Sequence, residues 1–187
     1  MSLDARVRYT KMVIKDSFIS LILEKPFHSI TLKEVCALAG INRSTFYKHY
    51  RDVYDWRDQL ERALMETEEE LISKGEEADD ITDMLTAEFE NMRKDQALYH
   101  AITSPNFESD IMERLLAAVL EKTDEETRKY YSSGVKDCQR RWDYHYMIKG
   151  CIGALECWVS EGMEEEPRAI AEFCAGKIYS SGARPRT

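Results

Sequence analysis

Apolar residues recur at helical spacing along almost the whole chain, and proline interrupts this pattern at only four positions, 26, 105, 167 and 185. No convincing stretch alternates apolar and polar residues, which is the pattern typical of a half-buried strand. A proline pushes the preceding residue out of helical geometry, so Lys25-Pro26 and Ser104-Pro105 mark helix boundaries. The sequence therefore predicts an all-α fold of about nine helices.

The charge is divided unevenly along the chain. Its 26 Lys+Arg and 35 Asp+Glu give a net charge of −9, which alone argues against a general nucleic-acid-binding protein. Residues 1–51, however, contain nine Lys/Arg and four Asp/Glu, a net charge of +5, which leaves −14 on the remaining 136 residues. This asymmetry favours a cationic module that meets a polyanion, attached to an acidic body that the same polyanion repels. Chance scatter of surface charge is the alternative.

Two short helices are predicted between residues 31 and 50. Thr31 and Glu34 have the spacing of a capping box at the start of the first helix, and Gly40 is suited to end it. Asn42 is a suitable N-cap for the second helix, which is predicted to run to about Tyr50. Two short helices joined by Ala-Gly-Ile-Asn are a helix-turn-helix.

Longer helices flank this motif. An apolar stripe predicts one helix from Arg6 to Glu24, and Asp52 is a suitable cap for the other. We therefore expect a three-helix domain over residues 1–51 and a helical regulatory and dimerisation domain over residues 52–187. The acidic stretch from Glu66 to Glu70 is interpreted as a solvated helix end without a function.

The outer face of the second short helix has the chemistry of a DNA-reading surface. Phe46 and Tyr50 are four residues apart and face the core, which leaves the polar side chains outside. Arginine can pair with guanine through two hydrogen bonds, and lysine, tyrosine and hydroxyl groups hold phosphate oxygens. The candidate DNA-binding residues are Thr31, Lys33, Arg43, Ser44, Thr45, Tyr47, Lys48 and His49. The alternative is an ordinary solvated surface.

The stretch KPFHSITLKEVCALAGINRSTFYKHYRD strongly resembles the DNA-binding domain of the TetR/AcrR-type transcriptional regulators, over roughly residues 8–60. Many relatives have a lysine near the start of the fourth helix, where this chain has Asp52-Val53-Tyr54. A phosphate contact there is therefore open, with Arg51 or Tyr54 as partial replacements. The resemblance implies DNA contacts at Thr31, Arg43, Ser44, Thr45, Tyr47, Lys48 and His49.

The last two helices, roughly residues 138–162 and 167–180, are the most apolar. Small residues at 150, 153, 154 and 157 form a strip that another backbone could approach closely, and helical glycines need such a packing reason. Pairing both helices with their copies would form a four-helix interface. The candidate interface residues are Gly150, Gly153, Ala154, Cys157, Trp158, Ile170, Phe173 and Cys174. The alternative is that all of them belong to the core of one monomer.

The resemblance favours the dimer, because TetR-type regulators generally dimerise through their last two helices. The segment from Tyr146 to Met163 also resembles the branch that includes regulators of dihydroxyacetone kinase operons. A TetR-like body usually holds an effector among its middle helices. The resemblance therefore implies candidate lining residues at Tyr99, His100, Phe107, Trp142 and Tyr146, each of which also fits an ordinary core or surface position.

Neighbouring residues form no zinc or nucleophile constellation, since His145 and Cys151 are six apart and point to different sides of a helix. We therefore predict no enzyme activity, metal or cofactor. Five cysteines without a C-x-x-C pair favour reduced thiols. The chain opens without a signal peptide and has no apolar stretch long enough to span a membrane, so we expect a cytoplasmic protein.

The predicted function is a homodimeric transcriptional regulator that represses by binding a near-palindromic, double-stranded operator. A small-molecule effector would control the release of the DNA. The alternative is a DNA-binding adaptor, or activator, whose second domain is controlled by a protein partner.

Overall fold

The computed structural model of the protein describes residues 3–74, 81–121 and 138–179. Within these ranges the chain forms nine α-helices and two 3-10 turns and contains no strand, so the predicted all-α fold is confirmed. The helices are α1 (Leu3–Glu24), α2 (Leu32–Ala39), α3 (Arg43–Phe46), α4 (Val53–Lys74), α5 (Ile81–Lys94), α6 (Gln96–Thr103), α7 (Ile111–Glu121), α8 (Cys138–Ser160) and α9 (Pro167–Ile178). The 3-10 turns are Phe27–Ser29 and Pro105–Phe107.

The chain divides into two compact units. The first comprises Met1–Ala63 with His100–Ser109, and the second comprises Leu64–Tyr99 with Asp110–Thr187. The start of α4 belongs to the first unit because Trp56 stacks on Phe18 of α1, with ring centroids 3.8 Å apart. The sequence-based boundary after residue 51 stays a prediction.

An aromatic cluster forms the core of the first unit. Phe27 is fully buried, and its ring lies 6.2 Å from Phe18, 6.4 Å from Trp56 and 6.3 Å from Phe107. The guanidinium of Arg57 lies over the Phe27 ring, 4.6 Å from its centroid. Large buried rings contribute much of the apolar area that stabilises a small domain, so this cluster fixes α1 and α4 around the short helices.

The ends of α2 follow the predicted capping chemistry. Thr31 accepts a hydrogen bond from the Glu34 backbone N–H, and the Glu34 carboxylate accepts one from the Thr31 backbone N–H, which completes the capping box. Gly40 ends the helix at φ +66°, a left-handed conformation that favours glycine. Lys25 donates to Glu34 at 2.6 Å, and these hydrogen bonds lower the pKa of Glu34 to about 2.

Helix α3 is shorter than predicted. It ends at Phe46 instead of near Tyr50, and the N–H groups of Lys48 and His49 donate to carbonyls only three residues back. The chain leaves helical geometry because the Arg51 N–H donates to the Asp55 carboxylate at 2.8 Å, which turns it into α4. Phe46 and Tyr50 are nevertheless buried, as predicted.

The second unit packs α5 against α9, and α8 against α7 and α9. Two ion pairs tie α5 to the start of α9, Arg93 to Glu166 and Asp83 to Arg168, each at 3.0 Å. The interpretation of residues 66–70 as a solvated helix end is wrong for Glu68, because α4 continues to Lys74 and the Glu68 side chain is buried. No helix in the described ranges is long and apolar enough to cross a bilayer.

Candidate nucleic-acid interface

One side chain organises the start of α3. The Oδ1 atom of Asn42 accepts hydrogen bonds from the Thr45 backbone N–H at 2.8 Å, the Thr45 hydroxyl at 2.9 Å and the Ser44 hydroxyl at 2.7 Å. A four-residue helix has little intrinsic stability, so this cap and the buried Phe46 hold it in place. The outer face of α3 is thereby fixed relative to the core of the first unit.

The cations of this outer face are exposed and have no carboxylate partner. Lys33, Arg43 and Lys48 are exposed, and none of them forms an ion pair with a residue that the structure describes. Tyr47 is 57% exposed, with its ring edge against buried Phe46 at a centroid distance of 6.1 Å. Other cations do find carboxylates within the chain: Lys25, Arg93, Lys149 and Arg168. An uncompensated cationic surface of this kind can attract phosphate groups.

The hydroxyl groups predicted to contact DNA form hydrogen bonds within the first unit. Thr31 donates its hydroxyl proton to Glu34 at 2.7 Å, and Ser44 and Thr45 donate theirs to Asn42. A phosphate oxygen accepts hydrogen bonds and needs a donor. These hydroxyls must therefore rotate away from their present partners to hold a phosphate, which the lysines, Arg43 and Tyr47 need not do.

Lys11 on α1, which residue spacing did not single out, belongs to the same cationic surface. His49 is half-buried, and the pKa of His49 is lowered first by burial and then by repulsion from Lys11 and Lys48. Lys11 is exposed on α1, and with Lys15 it lines a surface pocket of about 360 Å³ closed by Tyr50 and Trp56. The signal was present in the positive charge of α1, but only the fold shows that Lys11 lies near His49.

At the start of α4, the structure leaves two candidates for the missing lysine. Arg51 is 83% exposed and lies 3.4 Å from the Asp55 carboxylate, so a carboxylate partly compensates its charge. Tyr54 is 49% exposed, with its ring edge against Phe27. Whether either residue replaces the phosphate contact stays a prediction.

The five candidate effector residues belong to both units and differ in burial. Phe107 is fully buried in the first unit, and Tyr99 is buried in the second unit beside Glu88. His100 is exposed, and Trp142 and Tyr146 are 65% and 80% exposed on α8. Periodicity and aromatic character did not distinguish core from surface at these positions, and their role in effector binding stays a prediction.

Two acidic residues of the second unit were missed altogether. Glu68 and Glu88 are buried next to each other and line a small apolar cavity. Glu68 continues the spacing of Trp56, Leu60 and Leu64 on α4, each four residues apart, and this was the signal that placed it on the inner face. In the part of the chain that the structure describes, no group of three or more His, Cys, Asp or Glu residues is arranged to hold a metal ion.

The candidate dimer residues fall into two groups. Gly150, Gly153, Cys157 and Phe173 are exposed, and Ala154 and Ile170 are half-buried. Trp158 and Cys174 lie instead in the core of their own chain, because the Trp158 indole donates to the Glu165 carbonyl at 3.0 Å and Cys174 hydrogen-bonds to Cys151. An apolar groove of about 300 Å³ runs between α8 and α9; it is lined by Ala154, Cys157, Trp158, Glu161, Glu165, Ala169, Ile170 and Phe173.

Two glycines of α8 have no packing partner among the described residues of their own chain. A Cβ atom added at Gly150 or at Gly153 would meet no atom within 4 Å. Glycine inside a helix costs up to about 1 kcal/mol relative to alanine. The close approach that would justify these two glycines is therefore not made by the part of the chain that the structure describes.

The second half of the chain matches a family model described as the TetR-type transcriptional regulator C-terminal region, over residues 79–178. No curated protein has a significantly similar sequence. The fatty acid degradation regulator FadR from Bacillus halodurans is similar in structure, with a TM-score of 0.65 and 17% identity over 95% of this chain and 97% of that protein.

Two further solved structures share the fold. FadR from Bacillus subtilis in complex with stearoyl-CoA has a TM-score of 0.60 and 19% identity, over 91% of this chain and 98% of that protein. The dihydroxyacetone kinase operon activator DhaS has a TM-score of 0.55 and 14% identity, over 91% and 94%.

Proposed function

Because the chain belongs to the TetR-type transcriptional regulators, we propose that it is a repressor that binds a near-palindromic operator as a homodimer. Two copies of α3 would enter successive major grooves, with centres about 34–36 Å apart. Bound in this way, the protein would block transcription from the overlapping promoter.

The observation that carries this proposal is the exposed and unpaired state of the cations around α3. Arg43 on α3 and Lys48 in the turn that follows it are exposed, and fully buried Phe46 anchors the helix to the core. Lys33 at the start of α2 and Lys11 on α1 extend the same positive surface. The acidic remainder of the chain opposes non-specific binding, whereas the charge of this face favours contact with a duplex.

The proposal that the protein is a homodimer rests on α8 and α9. Their exposed strip contains Gly150, Gly153 and half-exposed Phe173 beside an apolar groove. A second copy of the same helices supplies a self-complementary apolar surface, as a two-fold interface requires. It would also bring another backbone to the two glycines that have open space around them.

Effector control would act on the second unit. A ligand that binds more tightly to the arrangement unable to span two half-sites shifts the population away from DNA.

A second candidate is the adaptor controlled by a protein partner, and one observation favours it. Trp142 and Tyr146 are exposed one helical turn apart on α8, where they offer aromatic area to another protein.

The test begins with the selection of bound fragments from genomic or random DNA by the purified protein. On the selected site, Arg43→Ala should cost about 1–3 kcal/mol of binding free energy and much less on random DNA. Lys48→Ala should weaken binding to every sequence and flatten the dependence on salt. Lys94→Ala, which removes an exposed cation of α5, is the matched control and should change neither quantity. Loss of affinity in the control alone would contradict the proposed face.

A further inference from the structure

A pair of carboxyl groups is buried in the second unit without a basic partner. The side chains of Glu68 on α4 and Glu88 on α5 hydrogen-bond to each other, and the Tyr99 hydroxyl hydrogen-bonds to Glu88. The two glutamates are only 2% and 8% exposed. Among the described residues, no cation pairs with either of them. Burying carboxyl groups in this way is costly, so most proteins place a lysine, an arginine or several donors beside them.

One oxygen of each carboxyl group accepts no hydrogen bond in the described structure. The Oε2 atoms of Glu68 and Glu88 are buried and have no hydrogen-bond partner in the described structure. Each is an acceptor that would be satisfied by an N–H or O–H group, and a positively charged donor would satisfy it best. The pair therefore has the electrostatic character of a cation-binding site.

Both glutamates line a cavity of about 20 Å³, which has room for one group the size of a water molecule. An ammonium group is about this size. The other lining residues are apolar, with α7 and α8 contributing no charged group; they are Leu85, Phe89, Met92, Met112, Leu115, Leu116, Val119 and Leu155. Methionine side chains are flexible and adapt to irregular shapes, so Met92 and Met112 can move to admit an alkyl chain.

We propose that Glu68 and Glu88 bind the ammonium group of a primary alkylamine effector, whose alkyl chain lies between Met92, Met112 and Leu155. The inference rests on the proposed regulatory function, for which it names the class of effector. The two unpartnered oxygens accept hydrogen bonds from the ammonium group. An anionic ligand finds no basic group among the described lining residues that could neutralise its charge.

A cation that binds between Glu68 and Glu88 displaces protons from their carboxyl groups. Burial raises the pKa of Glu68 to about 9, so Glu68 holds a proton at neutral pH, and burial raises the pKa of Glu88 as well. Tyr99 is the third titratable group in contact, and burial with the neighbouring glutamates raises its pKa as well. An ammonium ion that replaces a proton therefore releases that proton to the buffer, which a neutral ligand does not do.

The probe is n-hexylamine hydrochloride, titrated into the full-length protein at pH 8 in a calorimeter, with 1-hexanol and sodium hexanoate as matched controls. Repetition in buffers of different ionisation enthalpy measures the protons released. We expect hexylamine to bind with proton release and at least about tenfold more tightly than hexanol. Equal affinity for the amine and the alcohol, or no binding of the amine, would overturn the proposal.

Substitutions of the two buried glutamates, compared with substitutions of two exposed neighbours, test whether the pair is the binding site. Glu68→Gln and Glu88→Gln keep the size of the side chain but remove its charge, so each should weaken hexylamine binding at least about tenfold. Glu69→Gln and Glu90→Gln change the exposed neighbours on the same helices and should leave affinity unchanged. If a buried variant fails to fold, proton release by the unaltered protein still decides the question.

These titrations contain no DNA, and the operator experiments contain no amine. Amine binding by a protein that binds no selected DNA would refute the regulatory function and support the site. Operator binding by a protein that does not bind hexylamine would refute the site alone.

Discussion

In the first unit the carboxylate of Glu34 accepts hydrogen bonds from Lys25 and Thr31, whereas in the second unit Glu68 and Glu88 are buried against each other. The same residue type therefore has a lowered pKa in one unit and a raised pKa in the other. The first unit supplies donors to Glu34, Asp55 and Glu108 and leaves Lys33, Arg43 and Lys48 exposed. The second leaves buried acceptors, an apolar groove and two helical glycines without partners among its described residues.

The two units therefore lack different things: the first lacks compensation of its positive charge, and the second lacks packing and hydrogen-bond partners. The outer face of α3 is incomplete only in charge, and a polyanion supplies what it lacks. The second unit lacks packing and hydrogen-bond partners, which in our proposal a second copy of the chain and a donor in the cavity would supply. Buried unsatisfied groups are uncommon in native structures, so the two neighbouring glutamate oxygens without a partner in the second unit point to a bound donor.

The largest expected effect is on stability, and it compares a buried ring of the first unit with a half-exposed ring of the second. Phe27→Ala removes the centre of the aromatic cluster and should lower the free energy of unfolding by about 3–5 kcal/mol, measured by urea denaturation at neutral pH. Phe173→Ala removes a half-exposed ring on α9 and should cost a single chain much less. Similar losses in the two variants at low protein concentration would mean that Phe173 is part of a monomer core.

The pH dependence of stability should differ in sign between the two carboxyl sites. Glu68 has a pKa of about 9 against an ordinary value of 4.5, so the folded state holds this proton more tightly than the unfolded state. Its contribution is complete below pH 4.5 and is lost as the pH rises towards 9. Glu34, with a pKa lowered to about 2, contributes above its ordinary value of 4.5 and loses this as the pH falls towards 2.

Urea denaturation at pH 5, 7 and 9 measures the contribution of the buried pair. The unaltered protein should lose on the order of a few kcal/mol between pH 5 and pH 9. The double variant Glu68→Gln/Glu88→Gln should be much less sensitive to pH over this range, while Glu69→Gln should behave as the unaltered protein. A flat profile in the unaltered protein would show that the pair is not protonated in the folded state.

Much of the first unit could be predicted from sequence because its determinants are local. The capping box of Thr31 and Glu34 and the left-handed Gly40 depend on neighbours within four residues, and the spacing of Phe46 and Tyr50 alone placed both on one face. The end of α3 could not be predicted in this way. The end of α3 depends on the Arg51 N–H, which donates to the Asp55 side chain instead of continuing the helix. Residue spacing does not predict this partner.

The second unit was harder to predict because its determinants lie far apart in sequence. Glu68 looked like part of a solvated acidic run, and only the packing of α5 beside α4 brings Glu88 to it. Trp142 and Tyr146 were assigned to an effector site for their aromatic character, yet they are exposed. By contrast, the small-residue strip of α8 was recognised because helical spacing alone places Gly150, Gly153 and Cys157 on one face.

The smallest expected change in single-chain stability accompanies Gly153→Leu. Leucine has the higher helix propensity and meets open space in the chain, so the isolated monomer should gain up to about 1 kcal/mol. The same side chain would obstruct close approach by a second α8. Ala87→Leu, which adds a similar side chain at an exposed position of α5, is the matched control.

Sedimentation equilibrium of the purified full-length protein, without DNA, tests most directly the claim that the second unit needs another copy of itself. We predict a dimer for the unaltered protein and for Ala87→Leu, and a folded monomer with unchanged helical content for Gly153→Leu. A monomer at every concentration of the unaltered protein, or a Gly153→Leu dimer of undiminished affinity, would contradict the account.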